Sequence, residues 1–152
     1  MSRIPTIAMT VLLTLWSLSG DAREYLETND MQKQRAFSPA VITEGGKTVW
    51  LAGQTTLVDL AGKPIAGDFE AQARTVFALI GKTLERTGGK LRDLVTMTVF
   101  ITDVRNGDKL VEIRRELFPD GKFPGSALIT VSALARPGML IEVQGVAVVG
   151  DK

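Results

Sequence analysis

The chain has 152 residues, of which 45% are hydrophobic and 23% are charged, and its formal net charge is +1. These values predict one soluble globular domain and give no sign of nucleic-acid binding. The sequence has no cysteine and no histidine, which excludes thiolate nucleophiles, disulfides, Ser-His-Asp triads and the usual zinc sites. Any catalysis must therefore use carboxylates, Lys or Arg, hydroxyls, amides, backbone N–H groups or water.

Residues 1–22 have the layout of a secretory signal peptide. Arg3 gives a positive start, residues 7–18 form an apolar run, and Gly20 and Ala22 are small residues before a candidate cleavage site. The run is too short to span a bilayer comfortably, since that takes about 20 apolar residues. A buried N-terminal helix and a start codon placed too far upstream are the alternatives. A signal peptide predicts export to the periplasm or the medium, whereas a misplaced start predicts a cytoplasmic protein.

The first part of the predicted domain is rich in β signals. Residues 23–36 are polar and are predicted to form an extended or loosely ordered lead-in. Two β-rich stretches, residues 40–44 and 47–53, flank a pair of glycines, and this pattern predicts a hairpin. Trp50 lies in the middle of the second stretch and is predicted to be a core residue. Residues 57–67 favour a loop with at most one short strand.

Two helices and three strands are predicted in the rest of the chain. The first helix begins after Asp68, a good N-cap, and stops at the glycines of residues 88–89. Residues 94–102 alternate apolar and polar side chains, as a half-buried strand requires. A second helix begins at Asn106 or Asp108. The final two strands are predicted at residues 127–134 and 139–149.

This order, β-β-(β)-α-β-α-β-β, predicts an α+β fold in which one mixed sheet carries two helices on one face. Arg114 and Arg115 are interpreted as part of the solvated face of the second helix, with an anion site as the alternative. Phe100, Leu128 and either Val143 or its neighbours are assigned to the other face of the sheet. That much apolar surface in a short chain predicts that this second face packs against other subunits.

Six segments of the chain form a family pattern. They are FSPAV at residues 37–41, LAGQ at 51–54, GDFEAQ at 67–72, TVFITD at 98–103, FP at 123–124 and IEVQGVAV at 141–148. In order and spacing they resemble the Rid family, also called RidA or YjgF. The resemblance implies a RidA-like domain over residues 37–150 with a chorismate-mutase-like fold. It also implies a homotrimer with small-molecule clefts between subunits, and hydrolysis of enamines or imines such as 2-aminoacrylate without metal or cofactor.

The chain departs from active family members at several positions. Ser126 stands where those members have an Arg that grips the substrate carboxylate, and Gln144 stands where they have a Glu that positions or activates water. Leu128 replaces a frequent Cys, Phe37 a Tyr and Val111 an Asn. Losing the Arg contact would cost about 1.5–3 kcal/mol of binding, and losing a positioned base about 10²- to 10⁴-fold in rate. The resemblance thus implies an inefficient 2-aminoacrylate deaminase whose ligand is less anionic.

Eight residues are candidates for the site on the basis of this resemblance. Gln144 is a candidate for orienting water, with an amide satisfied inside a buried strand as the alternative. Glu142 lies on the same strand face and is a candidate acid or base; the alternative, which we favour, is an ion pair with Arg or Lys across an interface. The candidate ligand-binding residues are Phe37, Gly53, Gln54, Val111, Ser126 and Leu128.

Three functions are compatible with these residues. The first is a trimeric protein that binds a small organic molecule in intersubunit clefts. The second is an enamine or imine deaminase, or a related hydrolase, that acts on a different substrate with Gln144 positioning water and Glu142 assisting. The third is a non-catalytic trimer that acts through interactions. No metal, cofactor, nucleic acid or membrane partner is predicted for the mature form.

Overall fold

A four-stranded sheet with two helices on one face forms the centre of the structure. The structure, a computed structural model, describes residues 23–150, so the predicted signal peptide lies outside the described residues. Within that part of the chain, no helix combines the length and the hydropathy needed to cross a bilayer. In chain order the elements are β1 (Arg23–Tyr25), α1 (Asp30–Arg35), β2 (Val41–Thr43), β3 (Lys47–Gln54), α2 (Phe69–Glu85), β4 (Leu94–Ile101), α3 (Gly107–Leu117), β5 (Gly125–Thr130) and β6 (Ile141–Val149).

The order of strands in the main sheet is β3-β6-β4-β5. β6 is antiparallel to both of its neighbours, whereas β4 and β5 are parallel and are joined through α3. α2 packs against β6, β3 and α3. The predicted α+β class, with a mixed sheet and two main helices, is confirmed.

The boundaries of α2 and the alternation of β4 follow the sequence signals. The Asp68 carboxylate accepts a hydrogen bond from the N–H of Ala71 at 3.0 Å, which satisfies one free donor of the first turn. After the last turn, Gly88 adopts a φ of +84°, and the N–H of Gly89 donates to the Leu84 carbonyl. The apolar face of α2 shares one core cluster with alternate residues of β4, namely Met97, Val99 and Ile101.

The predicted hairpin over residues 40–53 is wrong. Gly45 and Gly46 do adopt positive φ values of 68° and 73°, but the strands on either side do not pair with each other. β2 pairs with β1, and β3 pairs with β6 over most of its length. The local turn signal was correct, but the apolar side chains of β3 are buried only if that strand joins the main sheet, so burial decides the pairing. Residues 57–67 contain an isolated bridge between Val58 and Pro64 instead of a strand.

The lead-in is more regular than predicted, because it forms β1 and α1. The Arg23 guanidinium donates to the Arg92 carbonyl at 2.8 Å and to the Asp93 carboxylate at 2.9 Å. α1 begins with a capping box, in which the Asn29 side chain accepts from the N–H of Gln32 and the Gln32 side chain accepts from the N–H of Asn29. The capping pattern was visible in the sequence, whereas the distant partners of Arg23 were not.

The predicted positions of three residues in the sheet need correction. Val143 is fully buried in the core, and Leu128 lies on the same side of the sheet as α3, near Gly107. Trp50 is 81% exposed, so its prediction as a core residue is wrong. Its neighbours Val49 and Leu51 take the core positions instead, and alternation turns Trp50 outward. The open face, meaning the side of the sheet away from α2 and α3, carries Trp50, Phe100, Ile129, Glu142 and Gln144.

Gln72 links α2 to two loops and provides a test of the fold. Its side chain is fully buried; the amide nitrogen donates to the carbonyls of Ile65 and Gly138, and the amide oxygen accepts from the N–H of Leu140 at 2.8 Å. Both carbonyls keep a second backbone donor. The Leu140 N–H is therefore the group that depends most on Gln72.

We expect Gln72→Leu to lower the free energy of unfolding by about 1–3 kcal/mol, because the Leu140 N–H loses its partner in a site away from water. Urea denaturation of both proteins measures this difference. Gln34→Leu, at an exposed position of α1, is the control and should change the free energy by less than about 0.5 kcal/mol. Equal losses in the two variants would contradict the role given to Gln72.

Candidate functional site

The structure separates most of the candidate residues into two groups on opposite faces of the main sheet. On β6, Ile141 and Val143 are buried in the core, so Glu142 and Gln144 face the other way. On β5, the Ser126 hydroxyl accepts a hydrogen bond from α3, which places it on the helix side. β4 lies between these two strands and separates them by about 10 Å. The candidates do not form one cleft within a single chain.

The first group lies where β3 and β6 meet on the open face. A register shift between Leu51 and Gln54 interrupts the pairing and brings the backbone of Gly53 against Glu142. A Cβ at Gly53 would overlap the Glu142 carboxylate. Glycine at this position therefore leaves the space that the carboxylate fills. Gln54 is half-buried and has the core residue Val143 as its cross-strand partner.

Glu142 and Gln144 have polar groups free for a ligand. Within residues 23–150, neither side chain takes part in a hydrogen bond or an ion pair. Glu142 is half-buried and Gln144 is exposed. The alternative in which Gln144 is an amide satisfied inside a buried strand is therefore wrong for the single chain. The predicted pairing of Glu142 with a cation of another subunit stays a prediction.

The second group is centred on Arg114, which the sequence analysis had assigned to a solvated face. That interpretation is wrong, since only 2% of Arg114 is exposed. Nη1 donates to the Ser126 hydroxyl and Nη2 to the Arg35 carbonyl, both at 2.8 Å. Nε is buried and has no partner. The available signal was helical spacing, because Arg114 lies three and seven residues after Val111 and Gly107, which are both buried.

Arg114 is a buried charge without a carboxylate partner in the described part of the chain. Burial, and then the nearby charge of Arg35, lower the pKa of Arg114 to about 10, so the guanidinium is still charged at neutral pH. The Arg35 guanidinium is paired with Asp108 at 2.6 Å. The charge of Arg35 is thus offset within the chain and that of Arg114 is not.

Three apolar candidate residues lie on the elements that hold this guanidinium or next to them. Val111 is buried one turn before Arg114 on α3, and Leu128 is 36% exposed on β5. Phe37 is half-buried and immediately precedes Ser38, which forms a parallel bridge with Gly125 at the start of β5. Phe37, Val111, Ser126 and Leu128 therefore lie on elements near one edge of the sheet, and their role in ligand binding stays a prediction.

Family membership follows from comparison with known proteins. The endoribonuclease L-PSP family model matches residues 27–149. A RutC family protein of Pyrococcus horikoshii is 31% identical over 111 residues, which cover 73% of this chain and 85% of that protein. The chain belongs to the RidA/YjgF family.

Other RidA/YjgF relatives agree in sequence and fold. The human 2-iminobutanoate/2-iminopropanoate deaminase is 27% identical over 114 residues, which cover 75% of this chain and 80% of that protein. The Rid-family protein YyfB of Yersinia pestis has a TM-score of 0.74 at 24% identity, covering 84% of this chain and 99% of that chain. The RidA-like fold predicted from the six segments is confirmed. The described residues contain no group of three or more carboxylates that could hold a metal ion.

The contact between Gly53 and Glu142 can be tested by Gly53→Ala. The added methyl group meets the free end of a flexible side chain, so we expect the carboxylate to move. The free energy of unfolding should change by less than about 1 kcal/mol. A crystal structure of the variant would show the displaced carboxylate.

The matched control is Gly145→Ala on the same strand as Glu142. A Cβ at Gly145 would clash with the Thr96 carbonyl oxygen, which is backbone and cannot swing away. This variant should lose about 1–3 kcal/mol in urea denaturation. An unmoved Glu142 in Gly53→Ala, or equal stability losses in both variants, would contradict the proposed contact.

Proposed function

We propose that this Rid-family protein is a homotrimer that binds a small organic molecule in clefts between subunits and hydrolyses imines slowly or not at all. One observation carries the proposal: the two groups of candidate residues lie on opposite faces of the sheet. A single chain cannot surround a ligand with both groups. A second copy, packed with its open face near β5 of the first, would bring them together.

The composition of the open face supports such packing. Trp50 is 81% exposed and Ile129 is 43% exposed in the single chain. Large apolar side chains grouped on one exposed surface favour an interface with another protein surface. Trp in particular contributes a large contact area when it is covered.

Trp50 also reports on the assembly. With Trp16 changed to Phe, Trp50 is the only tryptophan of the chain. We expect light scattering to give three times the mass of the chain, because the apolar open face is covered in the trimer. Trp50 should then emit as a buried indole that acrylamide quenches poorly. A monomeric mass with emission typical of indole in water would contradict the homotrimer.

Slow turnover is expected because of the chemistry of Gln144. An amide cannot accept a proton near neutral pH, so Gln144 can orient a water molecule but cannot activate it as a base. Glu142 lies two residues before it on the same face, and its carboxylate has no partner within residues 23–150. This free carboxylate favours a second candidate function, a hydrolase for a different imine or enamine in which Glu142 assists.

Gln144→Glu tests the proposal by restoring a carboxylate. We expect the variant to hydrolyse 2-iminopropanoate, generated in the assay, about 10²- to 10⁴-fold faster than the unchanged protein, because a positioned base typically contributes that factor. Release of ammonia and keto acid measures the rate. Glu142→Gln in the unchanged protein should leave its slow rate unaltered under the first function and reduce it under the second.

Gln34→Glu makes the same change of charge at an exposed position of α1 and should leave the rate unchanged. If the unchanged protein already matched the human deaminase in rate, slow turnover would be refuted. If Gln144→Glu gave no increase although the cleft bound its ligand, the missing base would not be the reason for slow turnover.

A further inference from the structure

The guanidinium of Arg114 has unused capacity for binding. An arginine side chain carries five N–H donors. The structure gives it two hydrogen bonds, one to Ser126 and one to the Arg35 carbonyl, and leaves Nε without a partner. The remaining donors lie out of water, where an unmet hydrogen bond is costly.

A purely structural role does not explain this arrangement. A buried charge stabilises a fold only when it is well paired, and apolar residues of similar volume often replace buried ion pairs without loss. Arg114 has no carboxylate partner within the described residues, and the nearby charge of Arg35 repels it. Its surroundings are therefore suited to an anion from outside the chain.

Ser126 connects the buried Arg114 guanidinium to the exposed part of β5. The serine is half-buried, whereas the residues that follow it on β5 are exposed. β5 is the edge strand of the main sheet, and an isolated bridge from Ser38 covers its other side only at Gly125. The backbone beyond Gly125 is therefore not paired along this edge within the described residues.

We propose that Arg114 and Ser126 together form the carboxylate-binding part of the cleft, with the guanidinium supplied by α3 instead of β5. The inference rests on the proposed function, because the cleft is the route to Ser126. A guanidinium in the cleft predicts a ligand that carries a carboxylate. The presence of Ser126 in place of the family's Arg had predicted a less anionic ligand. The planar fork of arginine matches the two oxygens of a carboxylate.

The neighbours of Arg114 favour a small monocarboxylate over a phosphate. A carboxylate neutralises the single charge of Arg114, whereas a phosphate dianion would require further donors. Val111, one turn before Arg114 on α3, and Leu128, two residues after Ser126 on β5, have apolar side chains. They suit a short apolar chain attached to the carboxylate, as in a 2-oxo or 2-imino acid.

The experiment compares binding of pyruvate and its neutral analogue pyruvamide by titration calorimetry, with inorganic phosphate as a third probe. We expect the unchanged protein to bind pyruvate more tightly than either of the others. Arg114→Met should weaken pyruvate binding about ten- to a hundredfold, through loss of a charged hydrogen bond, and leave pyruvamide binding nearly unchanged. Arg115→Met, at the exposed neighbouring position, is the matched control and should bind both as the unchanged protein does.

Thermal unfolding separates a binding role from a structural one. Without ligand, Arg114→Met should melt somewhat lower than the unchanged protein, because the Arg35 carbonyl and the Ser126 hydroxyl lose their donor. The response of the melting temperature to ligand therefore distinguishes the two roles. Pyruvate should raise the melting temperature of the unchanged protein and not that of the variant. Arg114→Lys is the second variant, used if Arg114→Met does not fold. It keeps the positive charge but lacks the planar guanidinium, so it should also bind pyruvate more weakly than the unchanged protein.

Three outcomes overturn the inference. Unchanged pyruvate affinity in Arg114→Met, or tighter binding of phosphate than of pyruvate, would overturn it while leaving the proposed cleft in place. Binding of neither pyruvate nor pyruvamide by the unchanged protein would remove the support for the cleft itself.

Discussion

The alternation of side chains along β6 is the constraint on which the rest of the site depends. Ile141 and Val143 must face the helices because they fill the core, and this turns Glu142 and Gln144 to the open face. α3 and β5 bring Arg114 to Ser126 on the other side. The core thus divides the polar groups between two surfaces, and only assembly can reunite them around one ligand.

Charge placement matters more here than charge composition. The chain has nearly equal numbers of acidic and basic residues, and its surface pairs such as Arg35 with Asp108 are of the kind that contribute little to stability. Arg114 and Glu142 are different, because both lack an oppositely charged partner within the described residues. These two groups carry opposite charges on opposite faces, which is the distribution expected of a site completed by neighbouring copies.

Local signals predicted the parts of the fold that depend on near neighbours in sequence. The Asp68 cap and the alternation of β4 needed only a few adjacent residues, and the family segments added the topology. The errors concern residues whose environment is set by distant ones. Trp50 is exposed because its neighbours fill the core, and Arg114 is buried because β5 and the end of α1 cover it. Helical spacing places Arg114 on the same face of α3 as the buried Val111, but no local pattern identifies the distant residues that cover it.

Arg23 also donates to the carbonyl of Val148, at 2.8 Å and 125 residues away in sequence. The first described residue is thus held by the last strand, and bringing such distant residues together costs chain entropy. On a ribosome, β1 has no complete docking site until β6 has been synthesised. A signal peptide in front of Arg23 would therefore be joined to an undocked strand for nearly as long as the chain is being made.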